Sequence, residues 1–247
     1  MADPLVVATG VSRQFDPGPN AVNALVDATC TVEANARIAI VGPSGSGKST
    51  LLHLLGNLDQ PTSGTISWPG LGPPESLRPS RIVNIFQGPS LLPALSVMEN
   101  VVLQLLLSGA GEADARAEAE RALALFETAD LRDKLPEELS GGQAQRVSIA
   151  RAIAVRPWLI LADEPTGQLD SATAVRVLDV LLASADDLGA ALVISTHDPR
   201  IAQRLTTTWS MASGTLTTGR APAGSVPSAL DGDGRQSPQP HREYTRR

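Results

Sequence analysis

The chain reads as an α/β protein built on a mostly parallel sheet, with an antiparallel β portion at the front and an inserted helical portion. Three observations predict this. Short apolar runs alternate with helix-like stretches along the sequence. The run Ile38–Val41 opens directly onto a glycine-rich loop and then a helix-like stretch, Lys48–Leu55. A second run, Trp158–Ala162, has the length and composition of a strand buried on both faces and ends on two carboxylates, Asp163 and Glu164.

The remaining elements follow in order. Leu5–Thr9 and Thr29–Val41 predict the antiparallel β portion, and Ile82–Phe86 is strand-like. From Gln87 to about Arg156 strand signals give way to helical ones. Glu112–Asp130 is alanine-rich, with Glu112/Arg116 and Arg116/Glu120 at helix-neighbour spacing, and reads as a solvated helix. Ser140 is a good N-cap for a helix over about Gly142–Arg156, which Pro157 stops. Leu192–Thr196 is a further strand. The expected division is one domain over 1–218, with a core from 1–86 and 157–218 and a helical insert at 87–156. Residues 219–247, rich in Pro, Gly, Ser and Asp, read as a disordered tail. Gly64–Arg81 is proline-rich and short, so the front β portion is expected to be trimmed there.

Composition narrows the function. With 247 residues, 42% of them hydrophobic, and a mean hydropathy of +0.01, the chain has the make-up of a soluble globular protein. No apolar run approaches the ~20 residues of a membrane helix, and the Met-Ala-Asp-Pro start lacks a basic-then-apolar signal segment. One cysteine, Cys30, precludes an intramolecular disulfide and suits a reducing cytosol. A net charge of -6 argues against nonspecific nucleic-acid binding.

The loop Gly42–Thr50 carries the first chemistry. Gly42, Gly45 and Gly47 let successive N–H groups turn toward one anion, and Pro43, Ser44 and Ser46 complete the loop. The helix behind it adds its positive end. Lys48 is expected at the β- and γ-phosphates of a nucleotide, the Ser49 hydroxyl on Mg²⁺, and Thr50 at the α-phosphate. Lys48 is one of two lysines in a chain that otherwise uses arginine, and a planar guanidinium does not replace a compact ammonium in a tight loop. These features predict a P-loop NTPase core. At the acidic strand end, alternation along an extended strand turns Asp163 toward the metal and Glu164 toward a water. Together the two segments describe phosphoryl transfer to water.

At this point the chain resembles the ATP-binding cassette (ABC) ATPases over roughly residues 5–218. The deciding residues are Leu139, Ser140, Gly141, Gly142 and Gln143, which match that family's signature motif and lie between the phosphate loop and the Asp163–Glu164 strand. A helix start bearing a serine hydroxyl and two glycines is itself an anion site. The resemblance implies that this segment of one subunit completes the ATP site of another in a head-to-tail dimer. It further implies that Gln87 touches Mg²⁺ and the attacking water, and that His197, in Ser195-Thr196-His197-Asp198, contacts the γ-phosphate. By the same resemblance Asp170 lies in the loop that senses the other subunit's site. Phe15 stands where the family places a ring against adenine. Gln168 departs from the asparagine or alanine usual at its position.

The resemblance therefore implies an ATPase that uses ATP and Mg²⁺ and pairs with a second copy of itself or a related subunit. The segment after Gln87, with Leu91-Leu92-Pro93 and Glu99-Asn100-Val101, resembles the part that receives a cytoplasmic helix of an integral-membrane permease. Together with Pro165-Thr166-Gly167, it is nearest the subfamily serving lipoprotein release, macrolide export and cell-division-type permeases. The implied location is cytoplasmic, peripheral on the inner membrane face. The alternative, a soluble ABC ATPase acting on nucleic acid or ribosomes, would ordinarily add coiled coils, zinc modules or a second cassette, and none is read here.

Overall fold

Residues 3–16 and 21–220 are described by the computed structural model of the chain. Most of the Gly/Pro turn after Phe15, and the expected tail from 221 onward, lie outside them. In chain order the elements are β1 (Val6–Phe15), β2 (Val22–Val32), β3 (Arg37–Val41), α1 (Lys48–Leu55), β4 (Ser63–Ser67), β5 (Ile82–Ile85), α2 (Val97–Leu107), α3 (Glu112–Leu125), α4 (Gly141–Ala154), β6 (Leu159–Asp163), α5 (Ser171–Leu188), β7 (Ala191–Thr196), α6 (Pro199–Ala202), β8 (Thr207–Ala212) and β9 (Thr215–Arg220). Six strands form one sheet in the order β5-β6-β7-β3-β8-β9, parallel from β5 to β8, with β9 antiparallel at the edge. The strands β2-β1-β4 form a separate antiparallel sheet.

Period-2 alternation explains why the central strands are apolar throughout. Leu159 and Leu161 of β6, Ala191 and Val193 of β7, and Ile38 and Ile40 of β3 pack into one core with the α1 leucines 51, 52, 54 and 55. Ile160 and Ala162, Leu192 and Ile194, and Ala39 face the other core, with α4, α5 and the helices of 97–125. The phosphate loop and α1 therefore share one face of the sheet with Asp163 and Ser195, which have the parity of Leu161 and Val193.

Three expectations need correction. Thr29–Val41 is not one antiparallel run. A turn closed by the Ala36 amide on the Glu33 carbonyl (3.2 Å), with Asn35 at φ 59°, splits it, so that β2 joins the small sheet and β3 the centre of the large one. The solvated helix is shorter, ending at Leu125, and is amphipathic. Ala115, Ala119, Ala122 and Leu123 are buried, so its alanines form a packing face rather than surface filler. Its ion pair joins Glu118 to Arg121, not Arg116 to its glutamates. Finally, Trp158 stands just before β6 and is 54% exposed beneath the Arg81 guanidinium, while the buried strand runs on to Asp163.

Residues 86–158, all described, hold helices and turns but no strand. Two side chains of α4 fasten this region to the segment after β5. Gln145, fully buried, donates from Nε2 to the Phe86 carbonyl (3.1 Å). Arg151 donates to the Ser90 carbonyl (2.9 Å) and hydroxyl (2.7 Å), and burial pulls its guanidinium below its ordinary pKa.

Candidate functional site

The loop between β3 and α1 is walled by β2 and β8. Gly47 takes φ 102° at the N-cap of α1, and a Cβ there would run into the Ala24 carbonyl of β2; one on Gly42 would run into the Met211 carbonyl of β8. The Ser46 carbonyl is held by the Gly214 amide (3.1 Å), which fixes the loop from the β8–β9 turn. Lys48 is 7% exposed, and its Nζ donates to the carbonyls of Gly42 (2.9 Å) and Pro43 (3.0 Å). An ammonium has three N–H groups, so one remains for a phosphate. The Leu51 amide is the first to bond within α1, to the Gly47 carbonyl (2.9 Å), so the amides at the helix head make no intrahelical bond, the arrangement that suits an anion. Pro43, Ser44, Gly45 and Ser49 are exposed, Thr50 is half-buried, and the Ser46 hydroxyl is buried without a hydrogen-bond partner.

Two loops converge on Glu164, those after β7 and β5. Its Oε1 lies 3.1 Å from His197 Nδ1, and its Oε2 accepts from Gln87 Nε2 at 3.4 Å. Asp163, 9% exposed, ends β6 and accepts a hydrogen bond on Oδ1 from the Ser195 hydroxyl. The two carboxylates do separate, but not by strand alternation. Glu164 leaves the strand at φ 44°, a left-handed conformation rare for a residue with a side chain, and this turn carries it toward Gln87 and His197.

The Ser140 segment forms a reciprocal cap on α4. The Ser140 hydroxyl accepts from the Gln143 amide (3.3 Å), and the Gln143 side chain accepts from the Ser140 amide (2.9 Å). Gly141 abuts the Gln168 side-chain oxygen and Gly142 the Leu169 side chain, so within one chain this segment leans on the loop leading to Asp170. Asp170 itself caps α5, accepting on Oδ1 from the amides of Ala172 and Thr173 (3.1 Å each), and the Thr173 side chain and amide hold its carboxyl below the usual range.

Residues 25–167 match the family described as ABC transporter. The lipoprotein-releasing system ATP-binding protein LolD of Legionella pneumophila (strain Paris) is 42% identical over 215 residues, 83% of this chain and 93% of that one. The chain belongs to the ABC transporter family, as an ATP-binding cassette. LolD of Bordetella pertussis is 40% identical over 220 residues, 86% of the cassette and 95% of its own length. Among solved structures, the dimeric post-hydrolysis state of the ATP-binding cassette MJ0796 bound to ADP and Pi superposes with a TM-score of 0.79 at 32% identity, covering 87% of the cassette and 99% of that chain. CbiO1 of Clostridium perfringens, part of an ABC transporter complex, gives a TM-score of 0.74 at 27% identity, with 87% of each chain covered. The cassette is an ATPase, and its α/β core with a mostly parallel sheet and a separate antiparallel sheet is that of the family.

The oxygen donors suit Mg²⁺. Asp163 Oδ2 accepts no hydrogen bond among the described residues, the Ser49 hydroxyl heads α1 on the same face of the sheet, and a Gln87 that donates to Glu164 from Nε2 keeps its amide oxygen free. Phe15 ends β1, 38% exposed, with the Arg13 guanidinium 4.4 Å over its ring and Asp59 2.7 Å from that guanidinium. One face of the ring is thereby covered by the guanidinium.

Four residues hold the site together, of which Gln145 and Arg151 belong to no motif read in the sequence, while Asn100 and Ser195 stand within motif segments without a role of their own. Gln145 and Arg151 fasten the Gln87 segment to α4, Ser195 touches both acidic residues, and Asn100 clamps the turn before α2. The signal available in sequence was a polar residue inside an apolar face: Gln145 beside Ala144 and Val147, and Asn100 between Met98 and Val101.

Proposed function

We propose that the cassette is the energy-coupling subunit of a membrane transport complex, closing head to tail with a second cassette around two ATP molecules and driving a separate permease. The observation that carries this reading is the convergence on Glu164: a carboxylate set within reach of Gln87 and His197 by a left-handed turn, beside a strand end that presents Asp163. Glu164 takes a proton from, or orients, a water in line with the γ-phosphate, and His197 holds that phosphate. Lys48 and the amides of the loop 42–50 bind the phosphates, and the partner subunit's Ser140, with its glycines, approaches the γ-phosphate from the other side. Ser49, Asp163 and Gln87 would hold Mg²⁺, which would offset charge on the β- and γ-phosphates. Phe15 stacks on adenine and Asp170 lies at the contact between subunits.

The helical insert, 87–156, acts as the part that moves with the permease, through the segment from Pro89 to Val101. The two LolD relatives belong to lipoprotein-releasing systems, which favours an extracting or exporting permease of that type over a nutrient importer. Among the described residues no helix is long and apolar enough to cross a membrane, so anchorage comes from the permease, on the cytoplasmic face. The test is to trap Glu164→Gln with ATP in its native host, purify it from detergent-solubilised membranes, and identify what accompanies it by mass spectrometry. A multispanning membrane protein is expected; recovery with only soluble partners or nucleic acid would overturn the reading.

A further inference from the structure

Ser195 has no part in the roles above, yet it is fully buried at the centre of the site. In the parallel register of β6 and β7 it stands directly opposite Asp163 and shares its face of the sheet. Its hydroxyl donates to Asp163 Oδ1 and accepts from the Glu164 amide (3.2 Å), and its carbonyl accepts from that same amide (3.1 Å). A serine hydroxyl offers one proton and two lone pairs, and here the proton goes to Asp163 and one lone pair to the Glu164 amide. An apolar residue in this place would pack equally well in β7, whose other residues up to Ile194 are apolar, but it could make neither bond.

We infer that Ser195 is a positioning residue for the hydrolysis reaction, tying the carboxylate on the metal side to the backbone of the residue on the water side through a single hydroxyl. The bond to Asp163 fixes which oxygen stays open, Oδ2, and stops the carboxylate rotating about its Cβ–Cγ bond. The bond to the Glu164 amide holds the residue at the point where it takes φ 44°. A left-handed turn at a residue with a side chain persists only when its surroundings over-determine it. Ser195 supplies two of those restraints, hydroxyl and carbonyl, and only the hydroxyl is open to substitution. The inference rests on the roles proposed for Asp163 and Glu164. It adds that they act as a unit whose geometry is set from β7, the strand that also delivers His197.

The test separates the hydroxyl from the volume of the side chain. Ser195→Ala removes both bonds, and Ser195→Thr keeps the hydroxyl on a slightly larger group. Partners of metal-binding side chains are typically worth 10- to 100-fold in affinity or activity. Ser195→Ala should therefore lower kcat about 10-fold with KM for ATP little changed, raise the half-saturating Mg²⁺ concentration about 10-fold, and be restored to near wild type by Ser195→Thr. A readout free of turnover uses the Glu164→Gln protein with ATP. Mn²⁺ binding followed by electron paramagnetic resonance should weaken about 10-fold on adding Ser195→Ala and recover with Ser195→Thr. If Ser195→Ala fails to fold, Ser195→Cys, of similar shape with a much poorer donor, takes its place and should show the same Mg²⁺ shift. Unchanged Mg²⁺ dependence in the folded variant, or equal impairment by alanine and threonine, would overturn the inference. A Glu164→Gln parent that binds no Mn²⁺ with ATP would instead bring down the reading of Asp163, and this inference with it.

Discussion

Asn100→Ala should loosen the turn that precedes α2 while leaving the phosphate loop intact. The Asn100 side chain, 2% exposed, accepts from the Leu92 amide (2.7 Å) and shares its two N–H groups among the carbonyls of Leu92 (3.1 Å), Leu95 (2.9 Å) and Ser96 (3.0 Å). Two of those carbonyls keep another partner, since Leu92 accepts from the Leu95 amide (3.2 Å) and Ser96 from the Asn100 amide (2.9 Å). The Leu92 amide and the Leu95 carbonyl have no other hydrogen bond among the described residues. With about 1–3 kcal/mol for each of the two orphaned groups, the loss is about 2–6 kcal/mol. That corresponds to a roughly 30- to 20,000-fold rise in local opening. Hydrogen exchange at Leu92, together with the urea midpoint, reads it. Asn100→Asp, which sets a carboxylate against three carbonyls, should be at least as disruptive. An exchange rate and midpoint unchanged from wild type in Asn100→Ala would refute the clamp. Because Leu92 is 46% exposed on the segment proposed to meet the permease, the same variant should lose permease-stimulated turnover before basal turnover.

Glu164→Gln should retain ATP binding and slow phosphate release by ~10²-fold or more, the range for a lost general base, checked by single-turnover kinetics. Lys48→Ala should lose nucleotide binding, measured with a fluorescent ATP analogue; unchanged affinity would remove the loop from its role. Cys30, buried in β2, has its thiol pushed from 9.0 up to about 12 by burial, so the folded protein should resist thiol reagents at pH 8 and react once unfolded in urea. Because the folded value is the higher one, the thiolate forms first in the unfolded chain. Its contribution to stability is complete below pH 9.0 and is lost as pH rises toward about 12. The urea midpoint should fall over that window, and Cys30→Ala should flatten the fall.

What was legible in the sequence was what is local. The phosphate loop, the helix over Lys48–Leu55 and the Ser140 cap each depend on residues within a few positions of one another, and the structure has them where those residues set them. The separation of Asp163 and Glu164 was foreseen, but its cause was not. The left-handed turn at Glu164 is braced by Ser195, 31 residues further on, and no local pattern reports that. The division of Thr29–Val41 was missed although Glu33-Ala34-Asn35 carries a turn signal, because apolar residues on either side masked a short break. In α3 the alanines were counted as helix formers on a wet surface, whereas Ala115, Ala119 and Ala122 recur at helical spacing and form the packed face. Gln145 and Arg151 show the same limit, since their partners Phe86 and Ser90 lie on a segment that only the fold brings to α4.

Head-to-tail closure on ATP is tested most directly by the sedimentation of Glu164→Gln with and without ATP and Mg²⁺. The protein should pass from monomer to dimer on adding nucleotide, and a bulky charge at the signature, Ser140→Arg, should block that passage. A Glu164→Gln protein that stays monomeric at saturating ATP, or a Ser140→Arg variant that dimerises as readily, would contradict it.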